Sequence, residues 1–113
     1  MLASGRGVAR DDAQAVLWFQ RAAERTEPRA WLNLGFMLMD GRGVIRDDAA
    51  AVGWFRRAAE LHNPWAQYML GFMLENGRGV ARNREEAVIW YQRAARENVS
   101  DAQNSLRRLN RSW

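Results

Sequence analysis

The amino-acid sequence predicts an all-α solenoid, in which about three 36-residue repeats each form two antiparallel helices. The tetrapeptide Gly-Arg-Gly-Val opens each copy, at residues 5–8, 41–44 and 77–80, with no insertion between copies. Within the copies, apolar residues recur at i, i+3, i+4 and i+7, which is the spacing of one helix face. We predict a single repeat domain over residues 1–113, with copies at 5–40, 41–76 and 77–113 and with residues 1–4 as the remnant of a preceding helix.

The composition is that of one folded domain. The chain has 113 residues, of which 48% are hydrophobic, and this fraction argues against disorder. It contains no cysteine, which excludes disulfide bonds and cysteine-ligated zinc. No apolar run approaches the roughly 18 residues of a membrane span. Residues 1–5 lack the basic start and apolar stretch of a signal peptide. The sequence therefore predicts no membrane span and no particular compartment.

The first helix of each copy follows a residue suited to capping it. Asp11, Asp47 and Asn83 are good N-cap residues. Gln14 and Glu86 follow two of these caps at the three-residue spacing of a capping box. Each helix then shows one apolar stripe whose alanines allow a neighbouring helix to approach closely. The stripes are Ala15, Trp18, Phe19 and Ala22 in the first copy, Ala51, Trp54, Phe55 and Ala58 in the second, and Ala87, Trp90, Tyr91 and Ala94 in the third.

The second helix of the first two copies opens with Pro28 or Pro64, where the fixed φ and missing N–H suit a first turn. Gly35 and Gly71 lie within these helices at a propensity cost of about 1 kcal/mol against alanine. We expect close packing between helices to compensate for this cost. The predicted core stripes are Ala30, Leu34, Met37 and Leu38, and then Ala66, Leu70, Met73 and Leu74.

The spacing of the glycines, the aromatic pair and the alanines resembles that of the Sel-one-like repeat, a relative of the tetratricopeptide repeat. The resemblance implies a right-handed superhelix of helix pairs that acts as a scaffold or adaptor for protein complexes, with no catalytic activity. The residues that carry it are Leu34-Gly35, Gly41, Gly43, Val44, Asp47, Ala51, Trp54-Phe55 and Ala58-Ala59. The chain departs from the family at Leu38 and Leu74, where tyrosine is common, and at Thr26, His62 and Asn98, where glycine is usual.

The two ends of the array differ from its middle. Leu106-Arg107-Arg108 stands where the earlier copies have Leu-Gly-Phe, and Asn110 replaces a leucine. Because a terminal solenoid unit needs a polar outer face, we interpret this segment as a polar cap. At the other end, the first helix lacks an upstream partner helix. Two explanations stay open: the chain is a piece of a longer array, or a second copy covers the gap in a self-associating homodimer.

We expect the second helices to line the inner, concave surface. The middle one carries a second apolar stripe, and a helix that is apolar almost all round is either buried or binds a partner. The functional hypothesis is a groove with an aromatic centre and polar ends that binds a peptide or helix of another protein. The competing interpretation is that Phe36, Met69 and Phe72 only fill space between layers. The predicted partner-binding residues are Arg29, Leu32, Asn33, Phe36, Trp65, Tyr68, Met69, Phe72, Asp101, Asn104 and Arg108.

All 17 basic residues are arginines, and the formal net charge is +4. Ladders of arginine at the repeat spacing can face a phosphate backbone or an acidic protein. Acidic residues such as Asp48 and Glu60, however, lie close to them in sequence and are placed to pair with them. An arginine-rich nucleic-acid binder therefore stays as a third alternative, less favoured than a protein-binding scaffold or a self-associating module. The ladders are Arg6, Arg42 and Arg78; Arg10, Arg46 and Arg82; and Arg21, Arg57 and Arg93.

The sequence predicts no enzyme, no metal site and no cofactor. The single histidine, His62, falls at a turn and has no second histidine with which to share a metal ion. Glu85 and Glu86 lie in the first turn of a helix, where acidic residues are favourable. The Gly-x-Gly-Val segment lacks the Lys-Ser/Thr of a phosphate-binding loop. The predicted function is therefore a scaffold for protein–protein interactions.

Overall fold

The computed structural model describes residues 14, 15, 17, 18, 20, 21 and 27–113, and this part of the chain contains helices and no strand. The residues described before residue 27 are helical and belong to the predicted first helix. Asp11, Phe19, Ala22 and Thr26, to which predictions were attached, lie outside the described residues. The complete helices are α1 (Pro28–Asp40), α2 (Asp48–Glu60), α3 (Pro64–Asn76), α4 (Arg84–Arg96) and α5 (Ser100–Arg108). Each packs against the next one in the chain, and the predicted all-α class is confirmed.

The predicted helix starts are confirmed in the described residues. The Asp47 carboxylate accepts the backbone N–H of Ala50 at 3.0 Å, and the Asn83 side chain accepts that of Glu86 at 3.0 Å. Each of these bonds satisfies one of the unpaired N–H groups of a first helical turn. Pro28 and Pro64 begin α1 and α3, as their missing N–H groups predicted.

The predicted capping box at Glu86 is wrong. Its carboxylate accepts hydrogen bonds from Arg56 Nη1 at 3.0 Å and Trp90 Nε1 at 3.1 Å, and so turns away from the cap. The backbone N–H of Asn83, which the box would have used, donates to the Leu74 carbonyl oxygen at 2.9 Å. Tertiary partners therefore replace the local contact, and Glu86 links α2 to α4.

The Gly-x-Gly-Val loops need glycine at both positions. Gly77 ends α3 with φ 65°, and Gly79 has φ 71°, a left-handed conformation that costs other residues free energy. Gly79 also lies so close to the Asp48 backbone that a Cβ atom there would overlap it. The loop before α4 thus packs directly on the start of α2, one repeat earlier. Gly41 and Gly43 repeat the same positive φ angles at 70° and 76°.

The turns inside the repeats adopt a glycine-like geometry without glycine. His62 has φ 67° and Asn98 has φ 66°. Asparagine and histidine are enriched among the non-glycine residues that tolerate this region. The backbone N–H of His62 donates to Ala59 O, and that of Asn98 donates to Ala95 O, both at 3.0 Å. At His62 and Asn98 the departure from the family's glycine therefore keeps the left-handed conformation of the turn.

In the described residues the predicted apolar stripes form the core or pack against it, except at Trp18. This residue belongs to the apolar stripe of the first helix but is 65% exposed. Its equivalents Trp54 and Trp90 are each covered by the guanidinium of the arginine three residues later. Among the described residues, no arginine guanidinium lies over the ring of Trp18. The largest fully buried side chains are Leu34, Phe55, Leu70, Met73, Leu74, Tyr91 and Leu106.

The two mid-helix glycines lie where neighbouring helices meet most closely. A Cβ atom at Gly71 would stand 2.8 Å from the ring of Tyr91 and 3.2 Å from the Ala87 carbonyl oxygen. At Gly35 it would overlap the ring of Phe55. The expected compensation for these glycines is therefore confirmed, because each admits an aromatic ring of the next helix.

Replacing Gly71 with alanine should lower the free energy of unfolding by about 1–3 kcal/mol, because overpacking outweighs the gain of about 1 kcal/mol in helix propensity. Gly53 in α2 is the matched control, since a Cβ atom there meets nothing within 4 Å. Gly53→Ala should raise the free energy of unfolding by roughly 0.5–1 kcal/mol. Urea unfolding followed by circular dichroism measures both, and effects of the same sign would contradict the packing role of Gly71.

Candidate partner-binding groove

The predicted binding residues lie on α1, α3 and α5 and differ in exposure. Trp65 is 48% exposed, which is a large free surface for an indole side chain. Met69 is buried at 8%, so for this residue the packing interpretation holds. The remaining exposed members are Arg29, Asp101, Asn104 and Arg108, and the half-buried members are Leu32, Asn33, Phe36, Tyr68 and Phe72.

Aromatic rings form a connected row across the middle of this surface. The rings of Trp65 and Tyr68 meet edge to face, with centroids 6.1 Å apart and planes at 89°. Tyr68 in turn lies 5.7 Å from Tyr91 of α4. Such pairs add about 0.5–1.5 kcal/mol beyond the area that they bury. The row therefore anchors the exposed indole of Trp65 to the core.

The structure brings the predicted residues of α3 together with those of α5. Burial raises the pKa of the Tyr68 phenol, and the carboxylate of Asp101 raises it further, while Ser105 and Arg108 oppose the shift. The Tyr68 phenol therefore lies near polar groups of α5. The ring of Phe36, by contrast, packs edge to face on Phe55 of α2, with centroids 5.4 Å apart.

A polar network that the sequence prediction missed joins this surface to the side chains beneath it. Tyr91 donates its hydroxyl to Glu75 Oε1 at 2.7 Å. Arg108 donates to both carboxylate oxygens of Glu75, at 2.6 Å and 2.9 Å, in the bidentate geometry that gives strong ion pairs. The Arg108 guanidinium holds the pKa of Glu75 below its ordinary value against the opposing effect of burial. Burial and the Glu75 carboxylate together raise the pKa of Tyr91.

Comparison between the copies contains a signal for this network. One repeat earlier, the positions of Glu75 and Tyr91 hold Met39 and Phe55. A carboxylate and a hydroxyl thus appear together at two positions that are apolar in the preceding copy. Because a buried carboxylate needs hydrogen-bond donors, the paired change predicts a contact between the two residues. Arg108 was assigned to the surface and the cap, and its pairing depends on the approach of α5 to α3.

In the described residues the arginine ladders are largely occupied by contacts within the chain, while Arg6 and Arg10 lie outside those residues. Arg46 and Arg78 both bond to Asp48, at 3.0 Å and 3.2 Å, as the acidic neighbours predicted. Hydrogen bonds from these two arginines lower the pKa of the Asp48 carboxyl. Arg57 stacks on the rings of Trp31 and Trp54, and Arg93 stacks on the ring of Trp90. The arginines of this part of the chain do not form a continuous row that faces away from acidic or aromatic partners.

The comparison with protein families identifies the repeat. The family model described as Sel1 repeat matches residues 1–26, 28–63 and 66–99. The chain belongs to the Sel1 repeat family. Sel1 repeat proteins are in general non-catalytic scaffolds that mediate interactions between proteins. No curated protein sequence matches the chain.

Solved structures of bacterial Sel1 repeat proteins are similar to this chain. A protective antigen of uropathogenic Escherichia coli strains with an SLR fold is 40% identical, with a TM-score of 0.82, over 83% of this chain and 20% of that one. A Sel1 repeat protein of Oxalobacter formigenes is 34% identical, with a TM-score of 0.77, over 80% and 37%. Cysteine-rich protein B of Helicobacter pylori is 25% identical, with a TM-score of 0.76, over 80% and 68%. The predicted helical solenoid is confirmed, and the chain spans a minor part of the first two proteins.

None of the helices in the described residues is long and apolar enough to cross a membrane.

The Glu75 network should make stability depend on pH. Because the pKa of Glu75 in the folded protein lies below its ordinary value of 4.5, its ion pair stabilises the fold above that pH. This contribution is lost as the pH falls through the lower folded value. Glu75→Gln should lower the free energy of unfolding at pH 7 by about 1–3 kcal/mol and flatten its decline in acid.

Glu85→Gln is the matched control for this measurement. Glu85 is exposed and stands 3.5 Å from Arg111, and exposed ion pairs contribute about 0–1 kcal/mol. Urea unfolding at a series of pH values compares the two variants with the wild-type chain. A Glu75→Gln variant whose stability falls in acid as steeply as that of the wild type would contradict the role of the network.

Proposed function

We propose that this Sel1 repeat chain binds an extended peptide or a helix of a partner protein on the surface formed by α1, α3 and α5. The observation that carries the proposal is the half-exposed indole of Trp65, held by its edge-to-face contact with Tyr68. Tryptophan, tyrosine and arginine are the residue types that dominate binding hot spots. We refer to this surface, with the eleven predicted residues, as the groove.

The aromatic centre of the groove is held in place before any partner arrives. Tyr68 lies between Trp65 on one side and Tyr91 on the other, and Tyr91 is fixed through its bond to Glu75. A side chain that is already ordered loses little rotamer freedom on binding, and this raises affinity. The Tyr91–Glu75 bond therefore supports binding from beneath the groove, and Arg108 joins that bond to the groove surface.

The charges at the two ends of the groove suggest the polarity of the ligand. Arg29 on α1 and Asp101 on α5 occupy the same repeat position as Trp65, and both are exposed. The charge of Arg108 is neutralised by its ion pair with Glu75 and therefore contributes less to the attraction of a charged ligand. Complementary charges guide association and set orientation. We infer that the ligand presents an acidic residue towards Arg29, an apolar residue to Trp65 and a basic residue towards Asp101.

Peptides selected from a random phage-displayed library against the wild-type chain test this proposal. Replacing Trp65 and Tyr68 together by alanine should weaken the selected peptides at least about tenfold, because hot-spot residues carry most of the binding free energy. Fluorescence polarisation with the labelled peptides measures the dissociation constants. Selected sequences should also show the acidic, apolar and basic order.

The matched control is Ile89→Ala, which truncates a 49% exposed apolar residue on α4, outside the groove. It should leave peptide affinity unchanged. Circular dichroism establishes that the double variant keeps its helices, because loss of the fold would return these residues to a packing role. Peptides that bind a folded double variant as tightly as the wild-type chain would exclude the groove as their site.

Self-association is a second candidate function, favoured by the exposure of Leu17 and Trp18 next to each other on the first helix. Adjacent exposed apolar side chains of this size are typical of surfaces that another chain covers. Light scattering during size-exclusion chromatography gives the mass in solution. A dimer that Trp18→Glu converts to a monomer would support this candidate, and a monomeric wild-type chain at all concentrations would exclude it.

A further inference from the structure

The guanidinium of Arg57 contacts two indole rings in the first layer of described helices. Its central carbon lies 4.8 Å from the ring centre of Trp31 and 5.0 Å from that of Trp54. Trp31 is 4% exposed and belongs to the hydrophobic core. Cation–π contacts of this kind are favourable, and more so where water is excluded. The position of Trp31 in the repeat is thus one that an indole can occupy.

One repeat later the same arrangement lacks one of its two rings. Arg93 lies 4.7 Å from the ring centre of Trp90, just as Arg57 covers Trp54. The position of Trp31, however, is taken by Gln67, which has a much smaller side chain and no ring. A half-open cleft of about 510 Å³ is found there. The residues that line the cleft are His62, Gln67, Arg93, Arg96 and Glu97.

Gln67 also carries a polar atom without a partner among the described residues. Its side chain is 3% exposed, and Nε2 donates to the Ala59 carbonyl oxygen at 3.3 Å. That bond fixes the orientation of the amide, since exchanging its nitrogen and oxygen would place two oxygens together. The Oε1 atom is then buried without a donor. A buried acceptor without a donor is unfavourable, and a hydrogen bond from a ligand would remove that cost.

We propose that this cleft binds an aromatic side chain with an N–H or O–H group, a tryptophan or tyrosine, of a partner protein. The ring takes the place that Trp31 fills one repeat earlier and packs on the face of the Arg93 guanidinium turned away from Trp90. Its donor is directed at Gln67 Oε1. The proposal is independent of the groove, because neither Gln67 nor Arg93 is one of the groove residues.

Titration of the isotope-labelled full chain with N-acetyl-L-tryptophanamide, followed by NMR, tests this proposal. The side-chain amide of Gln67 and the Nε–H of Arg93 should shift in a saturable way, with a dissociation constant on the order of millimolar for so small a probe. N-acetyl-L-phenylalaninamide, which has the ring but no donor on it, should bind about two- to tenfold more weakly.

Two variants and a control locate the probe. Gln67→Trp should fill the cleft as Trp31 does, abolish the saturable shifts and raise the melting temperature. Arg93→Gln removes the stacking cation and should weaken binding even if Gln67→Trp proves unable to fold. Arg57→Gln removes the equivalent cation one repeat earlier, where Trp31 already fills the space, and should leave affinity unchanged.

Three outcomes would overturn the assignment. One is a wild-type chain without saturable shifts, and another is a folded Gln67→Trp variant that binds the probe as the wild type does. The third is binding reported by Trp65 and Tyr68 instead of Gln67 and Arg93, which would place the aromatic probe in the groove. The groove proposal is unaffected by the first two outcomes, because it rests on separate residues.

Discussion

The contact between a mid-helix glycine and an aromatic ring of the next helix determines how the layers of this solenoid stack. Gly35 receives Phe55, and Gly71 receives Tyr91, at distances that leave no space for a Cβ atom. Because protein interiors pack as densely as crystals, the absence of one methyl group on a helix determines how closely the next helix can approach it. The helical fold of the Helicobacter pylori relative occurs in a protein named for its cysteines, whereas this chain has none. In the described residues, the layers of this chain are joined by packing and polar contacts.

This close approach also decides which side chains can meet across the layers. With α3 and α4 in contact at Gly71, the hydroxyl of Tyr91 reaches Glu75, and Arg108 of α5 closes the network. The aromatic row from Trp65 through Tyr68 to Tyr91 rests on that network. The proposed groove therefore depends on a packing contact that lies one helix layer beneath it.

The sequence predicted the helices, their caps, the loop glycines and the core stripes, because the same local residue pattern recurs in each copy of the repeat. Asp47 and Asn83 cap their helices because each is a short polar side chain at the same repeat position. What could not be predicted are contacts that depend on differences between copies. The Glu86 carboxylate accepts hydrogen bonds from Arg56 and Trp90 and does not form the capping box. Arg57 stacks on tryptophan rings instead of pairing with Glu60. Trp18 is exposed, whereas arginines lie over the rings of its equivalents in the later copies. The groove residues were predicted from repeat position, and whether a partner occupies them is proposed.

A double-mutant cycle between Gly35 and Phe55 tests most directly whether glycine–ring contacts hold the layers. At this pair the nearest atoms to a Cβ on Gly35 all belong to the Phe55 ring, with no polar network nearby to complicate the comparison. Urea unfolding of Gly35→Ala, Phe55→Leu and the double variant gives the interaction free energy. We expect a coupling of at least about 1 kcal/mol, with Gly35→Ala far less destabilising once the ring is gone. Additive effects of the two substitutions would show that the glycine serves some purpose other than admitting the ring.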